Sequence, residues 1–165
     1  MVGPVAAASA NAVITGNPED YISIAETGDT TGWVFTRDTV NVNQTCYLSV
    51  TSNHIGWTVG VQDANASQIV AAQGHMMEYT TEYGSKYLRN AMIMNGAAVA
   101  GQYYNDGPRT LTIARQIIWR GESTPTGVGT FTPIPITIRQ QVDNEDEHLI
   151  SGVYRIVVEF TTGLP

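Results

Sequence analysis

Apolar side chains recur at every second position through much of this chain, and no window of useful length shows helical spacing. Successive strand residues point to opposite faces, so such alternation marks a strand with one face buried and one wet. In the segment Val153–Phe160, the residues Tyr154, Ile156, Val158 and Phe160 fall on one face, with Arg155 and Glu159 on the other. Leu111, Ile113, Ile117 and Trp119 alternate with Thr112, Ala114 and Gln116 in a second strand, and Ile134, Ile136 and Ile138 in a third. Pro133 and Pro135 have no N–H to give a ladder, so the third strand is expected to begin at an edge or bulge. A hairpin is read over Val40–Val61. Val40, Val42, Cys46, Leu48 and Val50 share its inner face, and Trp57, Val59 and Val61 return on the same side after a turn at Ser52–Gly56. This phase buries Cys46 and exposes Asn43.

Turn signals separate these runs at Gly16-Asn17-Pro18, Asn95-Gly96 and Asn105-Asp106-Gly107-Pro108. Short strands with turns and no intervening helices predict an all-β fold: a single immunoglobulin-like or jelly-roll antiparallel β-sandwich. Only the stretch 74–95 resists the pattern. Tyr79, Tyr83 and Tyr87, four apart, fit a helical turn or two or a polar loop. At 165 residues the chain is the size of one domain, divided here into an extended arm at 1–14 and a sandwich at 15–165.

Charge narrows the function classes. Fifteen acidic residues face eight basic ones, for a net charge of −7. Nucleic acid and anionic membrane surfaces reward clustered Lys and Arg, so neither is an expected partner. No run reaches the 18 or so apolar residues of a membrane-spanning helix. Charged residues make up only 14% of the chain, leaving Thr, Asn, Gln and Ser to supply the polar surface, as in many secreted β-proteins. The lone Cys46 excludes an intrachain disulfide, and its inward phase reads as a small buried side chain.

No catalytic template is met, so an enzyme is not expected. His54, His75 and His148 are isolated from one another and from any metal-ligand spacing, and no serine sits in a nucleophile elbow. The acidic run 143–147 offers Asp143, Glu145 and Asp146 as oxygen ligands for Ca²⁺, but without EF-hand spacing it reads first as a solvated loop. No other cofactor is suggested. Asn43-Gln44-Thr45 and Asn65-Ala66-Ser67 are N-glycosylation sequons, with Asn43 favoured by its outward phase. Tyr103-Tyr104 are candidates for a sugar-stacking platform, whereas Trp57 and Trp119 read as core. Lys86, the only lysine, is a remote candidate for a self-crosslink.

The return strand SNHIGWTVGV and the closing strand GVYRIVVEFT resemble hairpins of secreted immunoglobulin-like surface proteins. Together with the acidic, Thr-rich composition and the sequons, the chain resembles archaeal extracellular filament and sheath subunits, methanogen ones among them, and bundling pili. It lacks the long apolar first helix of type IV pilins. The resemblance implies a cell-surface homopolymer in which an extended segment of one subunit completes the sheet of the next. The uncharged stretch Val2–Ile14 is the expected donor, with Val2, Val5, Val13 and Ile14 as its apolar anchors. The arm would then become ordered only in the assembly, the competing expectation being an ordinary frayed terminus. The alternatives are a secreted carbohydrate-binding or adhesin module and a viral surface protein.

Overall fold

The structure, a computed structural model, describes residues 20–27, 31–64 and 69–165. The fold is all-β, built of antiparallel sheets that pack as a β-sandwich. The longest strand, β11 (Gly129–Val142), organises one sheet. Its first half pairs with β3 (Tyr47–Ser52), and β1 (Ile22–Thr27) pairs with the far edge of β3. Its second half pairs with β2 (Thr39–Asn43) on one side and β7 (Ile93–Gly96) on the other. Beyond β7 lies the two-residue β9 (Arg109–Thr110). The facing sheet runs β13 (Val158–Gly163), β4 (Thr58–Asp63), β10 (Gln116–Gly121) and β8 (Tyr103–Asn105). A small third sheet joins β12 (Val153–Arg155), β5 (Met77–Tyr79) and β6 (Tyr83–Tyr87).

Leu48, Val50, Ile134 and Ile136 from the first sheet meet Trp57, Val59, Val61, Ile118 and Trp119 from the second, all essentially inaccessible to solvent. The Trp57 indole donates to the Gly127 carbonyl at 2.9 Å and packs 5.4 Å from the Phe131 ring, so its polar edge is satisfied inside the core. Gly121 and Gly96 lie where a Cβ would come within 2.2 Å of the Trp57 and Trp119 rings, which is why both positions are side-chain-free.

Several alternating rows emerge as read. Cys46, Leu48, Val50, Trp57, Val59, Val61, Ile134, Ile136 and Ile138 are all buried. Pro133 lies inside a register shift between Phe131 and Ile134, where its missing N–H leaves no gap in the ladder.

Other readings are corrected. The Val40–Val61 segment is no hairpin: β3 and β4 lie in opposite sheets, and the Ser52–Gly56 turn crosses between them. The phase of β2 is inverted. Asn41 is buried while Val40 and Val42 are half exposed, because the Asn41 carboxamide grips the backbone of Thr36 through both its oxygen (2.7 Å) and its nitrogen (2.9 Å). Asn43, opposite the inward Ile138, therefore lies on the core-side parity and is half buried rather than outward. In β10 a one-residue shift between Ile117 and Trp119 turns Ile118 inward beside Trp119, and Ile113 is a half-exposed residue outside the strand. The tyrosine stretch forms neither helix nor loop; Met77 pairs with Tyr87 and Tyr79 with Tyr83 in a hairpin. The closing segment is two strands, β12 and β13, interrupted at Ile156-Val157, although Tyr154, Ile156, Val158 and Phe160 all turn toward the core.

Two isoleucines that the alternation treats alike should thus behave differently. Ile136→Ala is expected to lower unfolding free energy by about 2–5 kcal/mol, and Ile113→Ala to change it by less than about 0.5 kcal/mol, both read by urea denaturation.

Candidate functional site

Among the described residues the core is not fully closed. Eight side chains pack against it only partly buried: Ile22, Ile24, Trp33, Phe35, Tyr154, Ile156, Val158 and Phe160. They belong to β1, to the segment between β1 and β2, and to β12, β13 and the break between those two. Six of them, from Trp33 onward, line an open groove of about 950 Å³ whose deeper wall is Cys46, Met76, Leu88, Met92, Met94, Ile136 and Ile138. That volume is at the upper end of the roughly 300–1,000 Å³ usual for ligand pockets.

The groove follows from the strand pattern. β2 and β3 run end to end along one edge of β11, but β1 covers only β3, ending at Thr27 opposite Tyr47. Among the described residues no strand pairs with the outer edge of β2, and the side chain of its own Asn41 holds the Thr36 backbone. Across the groove, β13 pairs with β4 alone. Trp33 and Phe35, with ring centres 4.9 Å apart, stand at the mouth without filling it. Val34 and Val153 continue the apolar surface outward and are 86% and 60% exposed. Both arginines of the rim are engaged: Arg37 donates to the Asp146 carbonyl, and Arg155 lies 4.4 Å above the Tyr79 ring.

The acidic loop forms the far rim, and its carboxylates accept from the protein. Asp146 is buried and accepts from the backbone N–H groups of Arg89 (2.9 Å) and Asp143 (2.7 Å). Asp143 accepts from Asn90 (2.9 Å) and Gln141 (3.1 Å), and Glu145 pairs with Arg89. Lys86 donates to Glu147 at 2.5 Å, and that hydrogen bond raises its pKa. The three residues read as Ca²⁺ candidates are thus close in the chain but directed at separate N–H donors. Among the described residues no three His, Cys, Asp or Glu side chains converge as a metal site would require.

The other candidates are dispersed. His54 bonds the Ile55 carbonyl (2.7 Å), His75 the Leu88 carbonyl (2.6 Å), and His148 is exposed on the loop. Tyr103 is core, edge-on to Phe131 at 5.8 Å, so only Tyr104 of the proposed platform reaches solvent. The Asn43 carboxamide oxygen accepts from both the N–H (2.9 Å) and the hydroxyl (2.8 Å) of Thr45, closing the first sequon into a local turn. Asn65 and the arm residues Val2, Val5, Val13 and Ile14 lie outside the described residues. No helix among the described residues is long and apolar enough to cross a membrane. The groove is not visible in the sequence because its walls come from at least six separated stretches; the half-buried row Tyr154–Phe160 was the one part of it in view.

No family model matches the chain, and no curated protein or solved structure matches it significantly.

Asp146→Ala should lower unfolding free energy by about 1–3 kcal/mol, to the same extent with Ca²⁺ or with EDTA, since the lost partners are N–H groups. Burial pushes the phenols of Tyr103 and Tyr154 above the usual tyrosine range, for Tyr154 with added repulsion from Asp146, Glu147 and Glu78. A buried phenol favours its neutral form. The stability it adds is complete below about pH 10, the ordinary tyrosine value, and is lost as pH rises through the higher folded value. The double variant Tyr103→Phe, Tyr154→Phe should therefore show a shallower loss of stability above about pH 10 in urea titrations than the parent.

Proposed function

We propose that this chain is a structural subunit of an extracellular filament, pilus or sheath, in which neighbouring subunits are joined by a donated β-strand. The observation that carries the reading is the open apolar groove lined by Trp33, Phe35, Val158 and Phe160, with β13, which pairs only with β4 among the described residues, along one side. A sheet edge with unpaired N–H and C=O groups beside an unfinished core is a template for another chain. Strand addition supplies both missing terms at once, with main-chain hydrogen bonds for affinity and alternate side chains for the groove.

Magnitudes favour a strand over side-chain contact alone. Completing the burial of six half-buried side chains contributes about 1 kcal/mol each, half the value of full burial. Association costs about 4–15 kcal/mol in lost freedom and ordering. Apolar closure therefore only just meets the lower end of that cost. Some five ladder hydrogen bonds, each about 0.5–1.5 kcal/mol, move the balance toward binding. A partner that offered apolar side chains without a backbone edge would bind weakly.

In this reading the role is mechanical rather than catalytic, the protein works at the cell surface, and its partner is itself. It accords with the resemblance to archaeal filament and sheath subunits. The sequons at Asn43 and Asn65 are the candidate N-glycan sites of such a surface protein. Concentrated purified protein should show regular polymers by negative-stain microscopy. Monodisperse monomer over a wide range of protein and salt concentration would contradict the proposal.

A further inference from the structure

Beyond strand donation, we infer that the groove of the free subunit is a binding site for a cationic amphiphile. Its alkyl tail lies on the methionine wall, and its ammonium head sits at the mouth beside Glu26, Trp33 and Phe35.

Glu26 is the residue that points to a cation. β1 lays Ile22 and Ile24 against the core, and Glu26 is the next position of the same row. It pairs with Leu48, which is buried, and directly opposed strand residues share a face. A carboxylate therefore occupies a core-side position, at the end of the groove where β1 stops, and it stays exposed because the groove is open there. Among the described residues its carboxylate makes no hydrogen bond or ion pair.

The other charged groups of the rim are answered within the subunit. Asp146 is buried and accepts from the backbone N–H groups of Arg89 and Asp143, and Glu147 pairs with Lys86 at 2.5 Å. Arg37 donates to the Asp146 carbonyl, and Arg155 lies 4.4 Å above the Tyr79 ring. His148 is exposed and, neutral or protonated, offers no anion. Among the described groove residues one full charge is left unanswered, and it is negative. A neutral tail drawn over Glu26 would strip water from an unpaired carboxylate, and an anionic head would meet a like charge. A cationic head removes both penalties. Aromatic faces add to its binding, and Trp33 and Phe35, with ring centres 4.9 Å apart, line the same mouth.

The wall beneath suits a flexible tail. Met76, Met92 and Met94 stand there with Leu88, Ile136 and Ile138. Methionine is unbranched and adapts to irregular apolar surfaces, so this wall accommodates an alkyl chain without demanding one rigid shape. The groove volume, about 950 Å³, lies within the range of small-molecule sites.

Three probes with one tail and different heads test the assignment: octyltrimethylammonium, octanoate and octanol. Each is titrated below its micellar range into dilute full-length monomer, at about pH 8 and about 0.15 M salt, where long-range attraction to the acidic protein is screened. Trp33 emission is the readout, since Trp57 and Trp119 are fully buried. The ammonium probe is expected to bind roughly fivefold or more tighter than octanol, and octanoate weakest. Glu26→Gln should bring the ammonium probe to within about twofold of octanol, and Glu26→Lys should make octanoate the preferred ligand. Glu82→Gln, the same charge change at an exposed site outside the groove, should leave the preference intact. Equal binding of the three probes, no binding of the ammonium probe, or a preference that survives Glu26→Gln would overturn the site. Equal weakening by Glu26→Gln and Glu82→Gln would reduce it to the general field of an acidic protein and overturn it as well. The titration reads the monomer, so these failures leave the filament reading standing, and absence of polymers leaves this site standing.

Discussion

The length of β11 governs the rest of the molecule. Its fourteen residues provide one edge for both β3 and β2 and a second edge for β7, so the first sheet is organised around a single strand. The inward row Phe131, Ile134, Ile136 and Ile138 supplies one wall of the core, and the bulge at Pro133 keeps that row in phase past a residue with no N–H. The opposite wall is fixed by Trp57 and Trp119, whose rings require glycine at positions 121 and 96.

A strand that long has to be covered along its whole length. β1 covers β3 and stops, and Asn41 of β2 turns inward to hold the Thr36 backbone. The groove opens beside the second half of β11, with Trp33, Phe35, Val158 and Phe160 half buried around it. The loop that closes its far rim is held by Asp146 and by the pairs Lys86–Glu147 and Arg89–Glu145, so the rim is fixed in place on that side. The opening is therefore a product of how the sheets are assembled rather than of a loose loop.

Alternation made the fold class and much of the core legible, because Leu48, Val50, Val59, Val61, Ile134 and Ile136 obey period two without interruption. It failed where a local event shifts the phase. Asn41 inverted β2 by bonding Thr36, and a bulge turned Ile118 inward beside Trp119. Ile156-Val157 split the closing segment into strands of different sheets. None of these events has a sequence signature as plain as the alternation it breaks. The groove was less legible still, since its walls are brought together only by sheet order. What the sequence did carry toward it was the half-buried row from Tyr154 to Phe160.

Hydrogen–deuterium exchange compared between dilute monomer and assembled protein tests most directly whether a neighbour's strand completes this sandwich. Slowed exchange is predicted on assembly in β13, in the segment from Trp33 to Asn43, and in Val2–Ile14, while the core amides of β3, β4 and β11 stay equally slow in both states. Arm amides already protected in the monomer, or slowed exchange confined to surfaces away from the groove, would contradict the account.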